Sequence, residues 1–279
     1  MSECKLYLVA TPIGNLSDMS KRALDVLNSV DFVAAEDTRN TLKLFNKFDI
    51  KKPMVSYFEH NKRERGEYIV SRIAAGENCA LVTDAGTPAI SDPGEDIVKL
   101  CAEKGIDVVP IPGACAFVQV LIVSGLDTGR FSFEGFLSVN KPQRKKHLEE
   151  IKNQTQTLIF YEAPHKLRKT LKDLLESLGD RKISLCRELT KMYEQVIRTT
   201  ISGAIAHFEE TEPKGEFVLV IEGYKPQEEE KELSKEEILQ MVEKLIEEGV
   251  SKKDAIKEVS VKASLPKREV YQMVVESEM

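Results

Sequence analysis

The sequence predicts an α/β protein of two domains with a small helical appendage, and three observations carry that expectation. Short runs rich in Val, Ile and Leu alternate with helix-period segments through residues 1–125, and a second alternating series runs from Phe131 to Glu222. A proline-containing charge run then precedes three helix-length pieces. At 279 residues the chain can bury a sizeable core, and its length alone suggests about two domains. The expected divisions are 1–125, 126–224, an acidic linker at 225–233 and a helical piece at 234–279.

In the first series the strand candidates are 5–10, 31–36, 54–57, 79–84 and 107–111, with helical patterns at 20–30, 41–48, 63–76 and 93–105. This βαβ rhythm implies a largely parallel sheet covered on both faces. It also places ligand crevices at the carboxyl ends of the strands. In the second series strands are expected at 131–137, 157–163, 182–189, 194–201 and 216–223, with helices at 144–152 and 164–179. The later strands follow one another closely, which suggests a mixed sheet. Proline and like charges make 223–233 read as a solvated linker. The pieces at 235–248, 251–261 and 266–276 carry serine N-caps and suit helix-turn-helix logic, the last opening with basic residues. A small appendage that packs on the body or on a partner is the other reading.

No stretch approaches the roughly 18 apolar residues of a membrane helix, and the opening "MSECKLYLVATPIGNL" lacks a signal-peptide cleavage pattern. A cytoplasmic protein without membrane contact is expected. Five cysteines stand singly in mostly apolar runs, as small core residues would in a reducing compartment. His60, His147 and His207 show no ligand spacing, so no metal is expected. The formal net charge of −6 argues against nucleic-acid binding by the whole surface and leaves room for local patches. Basic residues outnumber acidic ones between Ser251 and Tyr271. There is no P-loop, no G-x-S-x-G elbow and no H-E-x-x-H.

The stretch "TDAGTPAISDPG", Thr83 to Gly94, follows the apolar run "CALV" and so sits at a strand end. Glycine-rich turns there often cradle phosphate, but this one has no Lys or Arg and two carboxylates. Asp92, Pro93 and Glu95 read as N-cap, first helical position and capping-box acid, so a helix is expected from Pro93. The loop "ATPIGN" after the first strand lacks the G-x-G-x-x-G pattern of dinucleotide sites. "PIPGACA" repeats the strand, glycine turn and helix arrangement.

Eight segments in order, "LYLVATPIGNLSDMS", "AAEDTR", "TDAGTPAISDPG", "VVPIPGACA", "FSFEGFL", "YEAPHK", "RELTK" and "GEFVLVI", resemble the ribosomal RNA small subunit methyltransferase I family. That family belongs to the tetrapyrrole-methylase-like, class III S-adenosylmethionine-dependent enzymes, and the resemblance covers nearly the whole chain. It implies two α/β domains with S-adenosylmethionine in the cleft between them, a homodimer, and methyl transfer to the ribose 2'-hydroxyl of a cytidine in the decoding region of 16S ribosomal RNA. The substrate is free RNA or the assembled small subunit. One departure stands out: Cys115 follows "PIPGA" where serine or threonine is expected.

By the same resemblance, Thr11, Pro12, Asp84, Ala85, Gly86, Thr87, Pro88, Pro112, Gly113, Ala114, Cys115, Ala116, Phe136 and Leu137 are cofactor residues. A sulfonium cation suits a loop with carboxylates, unhindered backbone and no lysine. A ribose hydroxyl is a poor nucleophile, so a proton acceptor or a stabilising cation should help. Lys191 or Arg187 is expected to meet RNA and Glu36 or Glu188 to orient the hydroxyl, the plain alternative being a structural pair of Glu36 with Arg39. RNA contacts are expected from Arg39, Lys145 and Lys146, within a basic rim that also takes in Lys62, Arg63, Arg65, Lys141 and Arg144. Lys252, Lys253, Lys267 and Arg268 would dock RNA from the terminal helices. Two rivals remain open at this point: a class III enzyme acting on a small molecule such as a tetrapyrrole, and a non-catalytic RNA-binding or regulatory protein that binds S-adenosylmethionine.

Overall fold

The computed structural model describes residues 4–226, 233–263 and 265–277. They fall into two compact units, one running to Tyr224 and the other from Lys225 on. Of the expected linker, residues 227–232 lie outside the described residues.

In the first unit β1 (Leu6–Val9), β2 (Phe32–Ala35), β3 (Met54–Ser56), β4 (Cys79–Val82) and β5 (Val108–Ile111) form a sheet in the order β3-β2-β4-β1-β5. Every pairing is parallel. β2 and β4 are buried along their whole length because both faces are covered. On one face Leu27 of α1 (Lys21–Ser29) and Phe45 of α2 (Thr38–Lys47) meet Val33 and Ala80. On the other, Ile69 and Ile73 of α3 (Lys62–Ala74) and Ile97 of α4 (Gly94–Glu103) meet Leu81.

The second sheet joins β6 (Phe131–Phe136), β7 (Thr157–Glu162), β8 (Lys182–Arg187), β9 (Gln195–Thr200) and β10 (Phe217–Ile221) in the order β6-β7-β10-β8-β9. β6 and β7 are parallel and the other pairs antiparallel, the mixed sheet that the short late connections suggested. α6 (Lys141–Ile151), α7 (Pro164–Leu178) and α8 (Ile201–Glu210) cover one face. The other is closed by α5 (Ala116–Val123), whose Val120 and Leu121 pack with Ile159, Cys186 and Val220. A helix leaving the first sheet therefore completes the core of the second.

Two expectations need correction. The strand proposed for 194–201 ends at Thr200, and Ile201 opens α8, a helix missing from the sequence reading. Thr200 caps it through the Gly203 N–H, and Ile201, Ala204 and Phe208 bury one stripe, a helical spacing masked by the glycine and the β-branched residues. The helix expected from Pro93 begins at Gly94.

The second unit is a trihelical cluster of α9 (Lys235–Glu247), α10 (Lys252–Lys262) and α11 (Lys267–Ser277) around Ile238, Val242, Ile256, Val259, Val270 and Val274. Ser234 and Glu237 form a reciprocal capping box, and the Ser251 hydroxyl accepts from the Asp254 N–H. Among the described residues no helix is long and apolar enough to cross a membrane.

Candidate active site

The loops after β1, β4 and β5 leave neighbouring strands at the carboxyl edge of the parallel sheet and are bonded to one another. The Thr11 N–H donates to the Gly86 carbonyl at 2.9 Å, and the Gly86 N–H returns a bond to the Thr11 carbonyl at 3.1 Å. Gly86 holds φ at +85°, where a side chain would be strained. The Thr87 hydroxyl donates to the Ala114 carbonyl at 2.9 Å, tying the β4 loop to the β5 loop. Gly113 packs so closely on β1 that a Cβ there would lie 2.8 Å from the Ala10 Cβ. The Gly86 backbone, expected to be free for a cofactor, is thus paired with that of Thr11, and the pair stiffens the edge. Asp84 and Ala85 are exposed beside them, and Pro88 is buried.

The Asp92 carboxylate accepts from the N–H groups of Ala89 (3.0 Å), Ile90 (3.1 Å) and Gly94 (2.8 Å). It spans a turn in which Ala89 and Ser91 adopt φ of 68° and 64°. The capping box expected here does not form: Pro93 takes the cap position and Glu95 pairs with Lys99. Asp92 is a clamp for the strained half of the loop as well as a helix start. The clamped turn reaches the second sheet, where a Cβ on Gly135 would sit 3.6 Å from the Ser91 hydroxyl. Beyond Gly135 the two expected cleft residues part company. Phe136 is 57% exposed, with its ring centroid 5.5 Å from that of Tyr161, while the Leu137 side chain is buried in the core.

Cys115 is the N-cap residue of α5 and makes no side-chain cap bond, as a serine or threonine there could. The Phe117 N–H instead donates to the Tyr161 hydroxyl at 3.3 Å. Burial, reinforced by Cys115, pushes the Tyr161 phenol up to about 12, so it keeps a proton to donate at neutral pH. Two titratable residues follow this tyrosine in "YEAPH", Glu162 and His165. Glu162 is buried and accepts from the Ala163 N–H and the Thr170 hydroxyl, a structural role, whereas His165 is exposed. Pro112 and Gly113 are exposed at the rim, and Ala116 packs against the second sheet.

At the end of β2 the Glu36 carboxylate accepts from the Asp84 N–H at 3.4 Å. Burial raises its pKa, the Asp84 N–H partly offsets this, and the carboxylates of Asp84, Asp92 and Asp37 add to the rise. The pairing of Glu36 with Arg39 does not form. Arg39 binds Asp37, which caps α2 through the Arg39 N–H. Glu188 is committed elsewhere, accepting from the Glu216 N–H (3.2 Å) and Lys191 Nζ (3.1 Å). Burial would raise it, but those two donors outweigh burial and hold it below the usual range. Lys191, also 3.3 Å from Glu216, sits against the first loop, since a Cβ on Gly14 would lie 2.5 Å from its Cγ. Arg187 Nε and Thr190 Oγ1 in the same segment are buried with no partner among the described residues.

Among the other expected RNA contacts, Lys145 and Lys146 are exposed on α6, with Lys146 3.7 Å from Glu150. Arg144 leaves the expected rim: it is buried on Asp173 and Thr170. In the terminal unit Lys252, Lys253, Lys267 and Arg268 mark the starts of α10 and α11. Tyr271, exposed and one turn along from Lys267 and Arg268, is an addition that the sequence reading overlooked.

A family model described as Tetrapyrrole (Corrin/Porphyrin) Methylases matches residues 5–205. The chain is 47% identical to "Ribosomal RNA small subunit methyltransferase I" of Synechocystis sp. over 98% of both chains. It is 51% identical to the Bacillus subtilis protein of the same name over 95% of this chain and 92% of that one. The chain belongs to this methyltransferase family. Among solved structures, diphthine synthase shares the fold of this chain, with TM-score 0.61 over 78% of this chain and 89% of that one at 16% identity.

Gly86→Val is expected to abolish binding of a nucleoside cofactor by forcing both φ and the Thr11 pairing. Asp92→Ala should lower stability by about 1–3 kcal/mol through three orphaned N–H groups, with weakened rather than abolished binding. Calorimetric titration alongside urea unfolding checks the ranking, and the reverse order would refute it.

Proposed function

We propose that this chain transfers a methyl group from S-adenosylmethionine to a ribose 2'-hydroxyl, that of a cytidine, in small-subunit ribosomal RNA in the cytoplasm. The single observation that carries this reading is the bonded loop edge with Glu36, a carboxyl of raised pKa, at its β2 side. The relatives' shared name supports the RNA class of the acceptor.

The residues present fit the cofactor. No Lys or Arg occurs from Thr83 to Gly94, so no cation opposes a sulfonium, and the close approach at Gly113 leaves no room for a side chain. When bound, S-adenosylmethionine supplies an electrophilic methyl group on sulfur. Ala85, Thr87 and Pro88, with the backbone from Pro112 to Ala116, would hold it on the first sheet. The Phe136 face, the Leu137 backbone and the Tyr161 hydroxyl would close on it from the second. Glu36, once ionised, accepts the proton of the ribose hydroxyl, and Asp84 N–H orients its carboxylate. Held in line and away from water, the reactants need little further activation. Arg187 and Lys191 supply positive charge for the RNA backbone, Lys191 kept protonated by Glu188 and Glu216 against the opposing effect of burial.

The test is transfer of labelled methyl to purified small subunits and to naked 16S RNA, with the modified nucleotide mapped. Label on a single ribose is expected. No transfer to either substrate would remove the enzymatic reading. Since Glu36 must ionise and its pKa is raised, the rate should climb with pH through a value above the usual glutamate range. Glu36→Gln should slow transfer by about 10²–10⁴-fold and flatten that climb.

The terminal unit docks RNA in this reading, through Lys253, Lys267, Arg268 and the exposed Tyr271. Deleting residues after Lys225 should weaken RNA affinity and shallow its salt dependence while cofactor affinity stays the same. Unaltered binding to assembled subunits would contradict this.

The outer face of α5 supports a homodimer. Its sequence "AFVQVLIV" is apolar almost throughout, and Val118, Ile122 and Val123 stay exposed on it, with the Arg198 guanidinium bonded to the Val123 carbonyl at the end of the patch. Sedimentation at micromolar concentration should give a dimer that Ile122→Lys splits into monomers; a wild-type monomer would exclude this arrangement.

A further inference from the structure

Between the first loop and α2 the first unit holds a cavity of about 180 Å³, lined by Thr11, Pro12 and Asp84 of the expected cofactor residues but by none of Ala85, Thr87, Pro88 or the Pro112–Ala116 backbone that would hold the cofactor in the reading above. Pro12, Leu16 and Leu44 give it apolar walls, and Asn40 and Asp84 give it a polar side. The Asn40 side-chain amide donates to Asp84 Oδ2 at 3.1 Å. The Asp84 carboxylate is thereby drawn toward α2, away from the β5 loop, and the reciprocal Thr11–Gly86 pair stands between the cavity and the groups assigned to the cofactor.

We propose that this cavity is an acceptor-base subsite in which Asn40 and Asp84 read the hydrogen-bonding edge of cytosine. The proposal rests on the methyltransferase reading above and deepens it. Cytosine presents an amine donor at N4 beside an acceptor at N3. A side-chain amide has two N–H groups, of which the bond to Asp84 uses one, and an ionised carboxylate has further lone pairs on both oxygens. The pair can therefore offer one acceptor, at Asp84, to the N4 amine, and one donor, at Asn40, to N3. A carboxylate accepting from cytosine N4 is an established mode of base reading. Uracil reverses both groups: its O4 would face the carboxylate and its N3–H the amide, leaving both sides without partners. The apolar walls suit a base taken out of its stack, the way single-stranded RNA is commonly read. A base seated there leaves its ribose near Glu36, since Asp84 bonds both Asn40 by its side chain and Glu36 by its N–H.

The test compares kcat/KM on two otherwise identical small-subunit RNAs with C or U at the mapped position, for the full chain and for Asn40→Ala and Asp84→Asn. Wild type should prefer C, and each substitution should lower the C-to-U ratio by roughly tenfold or more. Asp84→Asn should in addition raise the absolute rate on U, because an amide N–H can then meet O4. A damaged fold cannot produce that gain. Calorimetry with S-adenosylhomocysteine should give the wild-type affinity for Asn40→Ala. An unchanged ratio in both variants overturns the subsite, and so does loss of S-adenosylhomocysteine affinity in Asp84→Asn, which would return Asp84 to the cofactor. A wild-type chain that methylates neither RNA would bring down the enzymatic reading and the subsite together, an outcome distinct from either of these.

Discussion

The reciprocal backbone bond between Thr11 and Gly86 is the constraint on which the rest of the site depends. It joins the loops of two adjacent parallel strands at their carboxyl ends, where a doubly wound sheet leaves a crevice. Once β1 and β4 are pinned there, Thr87 can reach the Ala114 carbonyl, Asp84 can reach Glu36 and Asn40, and the Asp92-clamped turn can meet Gly135 of the second sheet. Each of those contacts is short and local. Together they make a β4 loop with two faces, one toward β5 and β6, the other toward β2 and α2.

That division separates chemistries that would interfere. The face toward β5 and β6 has close-packed glycine, the Phe136 ring and a protonated Tyr161, and carries no basic side chain on the loop itself. The face toward β2 holds a carboxyl whose proton affinity burial has raised. On the β8–β9 segment Glu188 and Glu216 accept from the Lys191 ammonium and fix its position. α5 links the halves mechanically: its chain leaves the first sheet, its core residues belong to the second, and the Tyr161 hydroxyl meets its first turn.

Much of the fold was legible because both sheets are written in apolar runs of the right length. "FVAA" and "CALV" announce strands covered on two faces, and the crowding of later strands announced the mixed sheet. α8 was hidden by a glycine and β-branched residues whose spacing counts only once Thr200 is seen as a cap. The site was legible as a set of loops and illegible as a set of bonds. Gly86 was recognisable as a residue that must lack a side chain, but its partner, Thr11, lies 75 positions away in the chain and no local pattern connects them. Asp92 looked like a helix cap because its spacing fits one, and its bonds to Ala89 and Ile90 depend on a left-handed turn that non-glycine residues rarely announce. Asn40 drew no notice at all, since an asparagine in a helix is ordinary until the fold sets it beside Asp84.

The central claim is that the β4 loop has a cofactor face and an acceptor face, and hydrogen exchange read by mass spectrometry tests it most directly. With S-adenosylhomocysteine alone, amides in 85–91, 112–118 and 133–137 should gain protection while those in 36–44 exchange as before; addition of substrate RNA should then protect 36–44. Protection of 36–44 by S-adenosylhomocysteine alone, with 112–118 unaffected, would contradict the account.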